Sequence, residues 1–195
     1  MNKENLLIGS LAVFVGLSTI LFLKNKKMGI KYQRNFTEAL NHLNRSTISD
    51  ELWMRPVPID KVDDYGNQLN WADCKFDVLI VFSEKGGCSA CLQLEAAAWQ
   101  AFLDREGMIG KISVKLVCTV GDIERKQQEF NAMHIRYPVY YDSSASLVKE
   151  LDIKRTPRIF FLYKGKIVGG YTAEMENREK SKIMMEKFNE FLKLN

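Results

Sequence analysis

The apolar positions of this 195-residue chain fall into three regimes. The first is Leu6 to Leu23, LLIGSLAVFVGLSTILFL, eighteen residues without a charge. As a helix at about 1.5 Å per residue it would be roughly 27 Å long, close to the hydrocarbon thickness of a bilayer. The run ends in Lys24-Asn25-Lys26-Lys27 instead of a small-x-small cleavage site, and it has no polar face. The pattern therefore predicts an uncleaved single-pass anchor, not a signal peptide or a core helix. The second regime, residues 24–52, is polar, with Phe36, Ala39, Leu40 and Leu43 at i, i+3, i+4 and i+7. That spacing predicts a short amphipathic helix in a juxtamembrane connector, with His42 a solvated residue on it.

From Trp53 onward, short apolar runs alternate with helical ones. Val57-Pro58-Ile59 and Gln68-Leu69-Asn70-Trp71 flank Asp63-Asp64-Tyr65-Gly66-Asn67, which predicts a hairpin. Asp77 to Phe82 is a strand of the kind buried on both faces. A helix is expected from about Cys91 to Asp104, with Leu92, Ala96, Trp99 and Phe102 or Leu103 inward. A strand at Ile112–Val120 follows, then a helix from an Asp122 N-cap to Met133, and a short strand at Pro138–Tyr141. Ser143 or Ser144 is expected to cap a small helix carrying Leu147, Val148 and Leu151. Strands Ile159–Tyr163 and Lys166–Gly170 are joined by the tight turn Lys164-Gly165. Met184, Phe188, Phe191 and Leu192 mark a closing amphipathic helix. The order β-α-β-α-β-α-β-β-α implies an α/β sheet with parallel units, a terminal hairpin and helices on both faces. The expected organisation is a tail at 1–5, an anchor at 6–23, a connector at 24–52 and one domain at 53–195.

Charge changes this picture little. The formal net charge is +4, but residues 1–34 hold six basic groups against one acid, leaving 22 basic and 23 acidic residues in 35–195. No phosphate-binding stripe is present, which argues against nucleic acid as a partner.

The candidate chemistry lies after the 77–82 strand, where Ser83-Glu84-Lys85-Gly86-Gly87 leads into Cys88-Ser89-Ala90-Cys91. Cys91 is expected to open the helix. A helix's first turn carries unpaired N–H groups and the positive end of its dipole, which favours a thiolate there. The spacing C-x-x-C sets the second sulfur one turn along. Cys88 is then the nucleophile and Cys91 the resolving thiol, working through a mixed disulfide. A zinc site would need two further ligands. Cys74 and Cys118 are isolated, and neither His42 nor His134 has ligand spacing to anything, so no metal or other cofactor is expected. Cys118 reads as an inert core thiol; Cys74 is either the same or its disulfide partner. A second feature is Arg155-Thr156-Pro157-Arg158, immediately before an apolar strand, where a proline in either isomer is allowed.

With these residues in view, the chain resembles the thioredoxin superfamily, and within it the membrane-anchored TlpA-like thiol–disulfide oxidoreductases. The resemblance covers roughly residues 55–195. It is carried by Asp64-Tyr65-Gly66, Phe82 with Cys88-Ser89-Ala90-Cys91, Tyr137-Pro138 with Asp142, and Thr156-Pro157 with Gly165-Lys166-Ile167-Val168. It implies a thioredoxin-like fold: a central mixed sheet flanked by helices, an N-terminal β-hairpin extension and an N-terminal transmembrane helix. It also implies a cis Pro157 packed on the dithiol and a substrate groove at Gly87, Thr156, Pro157 and Arg158, where an extended substrate segment pairs with the Thr156 backbone. The chain departs from the family in having Gly87 where tryptophan is usual, Ser89-Ala90 without proline, and Glu95 out of register with the family's frequent Glu-Pro. Glu95 accordingly reads as a helix-surface residue. Arg158 stands where the family is small and polar; its guanidinium either favours the Cys88 thiolate, selects an acidic substrate segment, or is simply solvated.

The expected function is a membrane-tethered oxidoreductase that reduces protein disulfides and is recharged by a membrane electron donor. A tethered peptide-binding module without turnover is the alternative, and a thiol peroxidase ranks lower because Lys85 stands where threonine is usual. The resemblance puts the domain outside the cytoplasmic membrane of a bacterium, in a periplasm or its equivalent, whereas the lysines after the span favour the opposite orientation.

Overall fold

The computed structural model describes residues 23–31, 34, 38, 51–58, 62, 76–106 and 112–193. Its elements are β1 (Phe76–Ser83), α1 (Ser89–Glu106), β2 (Ile112–Thr119), α2 (Ile123–Ala132), β3 (Val139–Tyr141), α3 (Ser146–Glu150), β4 (Arg158–Tyr163), β5 (Lys166–Thr172) and α4 (Arg178–Lys193). The strands form one mixed sheet in the order β3-β2-β1-β4-β5. β2 lies parallel to β1 and β3, while β4 runs antiparallel to β1 and β5.

Strand periodicity explains the two cores. On β1, Val78, Ile80 and Phe82 point to the face covered by α1 and α4, where they meet Trp99, Phe161 and Phe188. Leu79 and Val81 point to the other face, against Leu147, Leu151, Phe160 and Leu162. A strand buried on both faces has to be apolar throughout, and the one acid at its start, Asp77, is buried in a pair with Lys115 of β2. The main core is aromatic: Phe161 stacks on Phe188 at 4.5 Å between ring centroids, and Trp99 meets both edge-on.

The turns follow the residues. Lys164 and Gly165 both have positive φ (50° and 73°), the backbone a two-residue hairpin turn of matching twist demands. Asp122 caps α2 by accepting the Arg125 N–H at 3.0 Å. The cap expected of Ser143 or Ser144 belongs instead to Asp142, whose carboxylate accepts the Leu147 N–H at 2.9 Å, while Ala145 in the left-handed region holds the N-cap position of α3 without a side-chain bond. Helix α1 opens at Ser89, two residues earlier than expected, so Cys88 rather than Cys91 stands at its mouth.

The N-terminal expectations are corrected. The 6–23 run lies outside the described residues except for Leu23. Among the described residues, no helix is long and apolar enough to cross a membrane. The helical stretch 23–31 is exposed throughout and carries Lys24, Lys26, Lys27 and Lys31, a charge density that hydrocarbon does not tolerate. The N-terminal transmembrane helix, the TlpA-like anchoring, the membrane as a partner through 6–23, the membrane electron donor tied to it, and the cytoplasmic-membrane location are therefore withdrawn. Most of the expected 57–71 hairpin, the amphipathic helix around Phe36 and Leu43, and Cys74 lie outside the described residues. The residues leading into the hairpin segment run along the edge of β5: the Met54 N–H donates to Ile167 O, the Ile167 N–H to Arg55 O, Pro56 bridges Lys166, and at the segment's first residue the Val57 N–H donates to Gly165 O.

Candidate active site

Chain order sets the site at the end of β1. After Ser83 the chain turns through Gly86, with φ of 80°, and enters α1 at Cys88-Ser89-Ala90-Cys91. Cys88 and Cys91 form a disulfide with Cα atoms 5.1 Å apart. Cys88 is half-buried and Cys91 is buried, so Cys88 presents the more accessible sulfur. The Cys91 N–H points at Cys88 Sγ from 3.1 Å, the contact an N-cap side chain makes with the orphan donors of a helix's first turn. No acid stands in that turn, so nothing there opposes a negative charge on the sulfur.

The loop before β4 packs directly on this turn. The Thr156–Pro157 peptide bond is cis. Gly87 and Thr156 form an isolated parallel bridge, and the Cys88 N–H donates to Thr156 O at 3.3 Å. The Thr156 hydroxyl, itself buried, accepts the Ser83 N–H and donates to Ser83 O, both at 3.1 Å. Gly87 is required by this closeness: a Cβ there would overlap Ser83 O, and would lie 2.6 Å from Thr156 Oγ1 and 2.8 Å from a ring carbon of Phe82. The departure from the tryptophan usual in the resembled family thus has a steric cause in this chain.

Arg158, the fourth proposed groove residue, directs its guanidinium to Thr172 Oγ1 at 3.1 Å and over the Phe160 ring, 5.3 Å from its centroid. Phe160 belongs to the core on the face away from α1, so these contacts lie on the opposite side of the sheet from the dithiol's helix. Gly87 and Thr156 therefore come together at Cys88, with Pro157 next to Thr156 in the chain, while the contacts named for Arg158 lie elsewhere.

Glu95 is corrected from a surface residue to a buried acid, only 4% exposed and one helical turn beyond Cys91. Its carboxylate accepts from Tyr171 Oη and from Ser181 Oγ at 2.8 Å, while Tyr171 Oη in turn accepts the Trp99 indole N–H at 3.2 Å. This network ties α1, β5 and α4 together behind the dithiol. Burial pushes the Glu95 carboxyl above its ordinary range, against the pull of the Tyr171 and Ser181 hydrogen bonds. The signal was present in the sequence: Leu92, Glu95, Ala96, Trp99 and Phe102 share one inward stripe at spacings of three and four, with Glu95 inside it. Cys118 is fully buried and its thiol is pushed far up by burial, which fits an inert core residue. Among the described residues no group of His, Cys, Asp and Glu could hold a metal ion.

Comparison with solved structures bears on the fold that carries this site. The thioredoxin domain of a thiol-disulfide oxidoreductase from Bacteroides vulgatus is 17% identical, covers 70% of this chain and 96% of its own, and superposes with a TM-score of 0.55. A candidate thiol:disulfide interchange protein DsbE from Chlorobium tepidum is 12% identical, with coverage of 72% and 97% and a TM-score of 0.57. An uncharacterized thioredoxin-like protein from Porphyromonas gingivalis is 19% identical, with coverage of 71% and 94% and a TM-score of 0.51. At these identities the likeness shows the fold, which is thioredoxin-like. No protein-family model and no curated protein matches the sequence. The site is therefore a C-x-x-C disulfide at the mouth of α1, carried on a thioredoxin-like fold.

Proposed function

We propose that the chain exchanges electrons with disulfide-containing proteins through Cys88 and Cys91, in the reducing direction. In the dithiol form the Cys88 thiolate, favoured by the Cys91 N–H and the dipole of α1, attacks one sulfur of the substrate disulfide. A mixed disulfide forms and the other substrate sulfur leaves as a thiolate. Cys91, deprotonated, then attacks Cys88 Sγ and expels the second substrate thiolate, which restores the Cys88–Cys91 bond. The substrate gains two electrons and, from solvent, two protons; an external thiol reductant must reopen the protein's disulfide. Glu95 is the buried acid closest in sequence to Cys91, and on this reading it accepts the Cys91 proton. Gly87, Thr156 and Pro157 form the surface on which an extended substrate segment lies, with the Thr156 backbone as its pairing edge.

The observation that carries the proposal is the Cys88–Cys91 disulfide set at the mouth of α1 with the Cys88 N–H bonded to Thr156 O. The test is reduction of insulin disulfides with dithiothreitol as the regenerating thiol. Cys88→Ser is expected to abolish the catalysed rate, and Cys91→Ser to accumulate a covalent mixed disulfide through Cys88. Full activity in Cys88→Ser overturns the proposal, and retained peptide binding without turnover in the wild type would assign a binding module instead.

A further inference from the structure

Helix α4 carries a polar residue inside its inward stripe. Ser181, Met184, Met185 and Phe188 recur at spacings of three and four and are all buried, with Ser181 only 8% exposed. Helix α1 has the matching exception in Glu95, and the two meet: Ser181 Oγ donates to Glu95 Oε2 at 2.8 Å. A cavity of about 450 Å³ lies between the two helices, and Cys91, Glu95 and Ser181 all line it. Its lining also includes the exposed charges Arg105, Glu174, Arg178, Lys182 and Glu186, so solvent reaches it.

Resting on the function proposed above, we infer that Ser181 serves the resolving step through Glu95: it holds the carboxylate ready for the Cys91 proton and passes that proton on to solvent in the cavity. Cys91 and Glu95 stand four residues apart on α1, so their side chains are neighbours on one helix face. A proton on Glu95 has few ways out, because both carboxylate oxygens are engaged. The Oε1 partner is Tyr171 Oη, and behind it stands the indole N–H of fully buried Trp99, a donor that cannot accept a proton. The hydroxyl of Tyr137, which senses the Glu95 charge, has no hydrogen-bond partner among the described residues. Of the two carboxylate partners, only Ser181 lines the cavity. Along this route Glu95 gives its proton to Ser181 Oγ while Ser181 releases its own to a solvent molecule in the cavity. The hydroxyl then turns back to the ionised carboxylate, and the serine is unchanged after each passage.

The test compares Ser181→Thr with Ser181→Val in the full-length protein, two side chains of one shape that differ in the hydroxyl. Reduced protein is mixed with insulin and quenched with acid, and the growth and decay of the Cys88–insulin adduct are followed from about pH 5 to 9. The valine variant loses a hydrogen bond to a charged group, which favours the protonated carboxyl. Its adduct decay is expected to move to higher pH by about one unit and to run about tenfold slower below the midpoint. Threonine is expected to match the wild type, and adduct formation to be equal in all three proteins. In a Glu95→Gln background the threonine and valine variants are expected to decay alike. The wild type alone gives a second measurement, its decay rate in mixtures of light and heavy water, expected to bow below a straight line because two protons move. Coincident decay profiles for threonine and valine, a difference between them that survives Glu95→Gln, or a straight line in the solvent mixtures overturns the inference and leaves the dithiol chemistry standing. Absence of any Cys88–insulin adduct in the wild type refutes the oxidoreductase reading and this inference with it.

Discussion

Replacing Gly87 by alanine tests whether the site is built by close approach of two loops. The new Cβ would meet three groups that have little freedom to move. Ser83 O is backbone, and it overlaps outright. Thr156 Oγ1, at 2.6 Å, is pinned by two hydrogen bonds to Ser83, and the Phe82 ring, at 2.8 Å, is fully buried. Ordinary contact begins near 3.5 Å, so the turn has to shift outward by more than an ångström to clear the Ser83 oxygen. Overpacking of this kind costs about 1–3 kcal/mol, and loss of the Cys88–Thr156 backbone bond adds about 1 kcal/mol. A total of about 2–4 kcal/mol corresponds to roughly 4–16 °C in Tm for a chain of this size. The shift also pulls Cys88 from the Thr156 loop, so exchange with protein disulfides is expected to slow more than alkylation of the reduced thiol by iodoacetamide. Calorimetry and the insulin assay measure the two effects. A Gly87→Ala protein that melts with the wild type and reduces insulin at the wild-type rate refutes the steric account of this position.

Further expectations concern the network and the core. Because burial raises the Glu95 pKa above its ordinary 4.5, the folded state keeps a proton that the unfolded chain releases, and stability falls as pH rises from the unfolded value toward the folded one. The slope reaches at most about 1.4 kcal/mol per pH unit, and Glu95→Gln removes it; parallel pH–stability curves for variant and wild type in urea melts would contradict this. Tyr171→Phe strands the Trp99 indole N–H and one Glu95 oxygen in the core, an expected loss of about 2–4 kcal/mol by denaturant unfolding; a loss below that of a surface substitution would show that the pair finds other partners. Phe188→Ala removes a fully buried ring stacked on Phe161, at a cost of about 3–5 kcal/mol, and a near-neutral result would mean that the core there collapses around the gap.

Much of this architecture is written in periodicity. The apolar run at 77–82, the three-and-four spacing from Leu92 to Leu103 and the Lys164-Gly165 turn each have one economical solution, and the chain adopts it. The C-x-x-C pair was legible for the same reason, because a strand before it and a helix after it fix where its sulfurs point. Glu95 was misread because a single acid in a helix is ordinarily solvated; only Tyr171 and Ser181, 76 and 86 residues away, make its burial tolerable. The Asp142 cap was missed because Ser143 and Ser144 are equally good cap formers by type, and the choice among them rests on the left-handed turn at Ala145. The apolar N-terminal run illustrates the opposite limit. Hydropathy gives a length and a polarity, and the described structure offers no helix that uses them to cross a bilayer. Cavities such as the one beside Cys91 have no sequence signature, since they arise where two helices fail to fill the space between them.

The double clasp between the Thr156 hydroxyl and the Ser83 peptide couples catalysis to folding in a way that slow isotope labelling could see. One small side chain holds both backbone groups of the residue that ends β1, so the two segments on either side of the sulfurs can separate only by breaking both bonds at once. The Ser83 amide should then exchange with deuterated solvent as slowly as the central strands rather than at the pace of a surface turn. A serine in place of Thr156 keeps the clasp, whereas a valine of the same shape opens it.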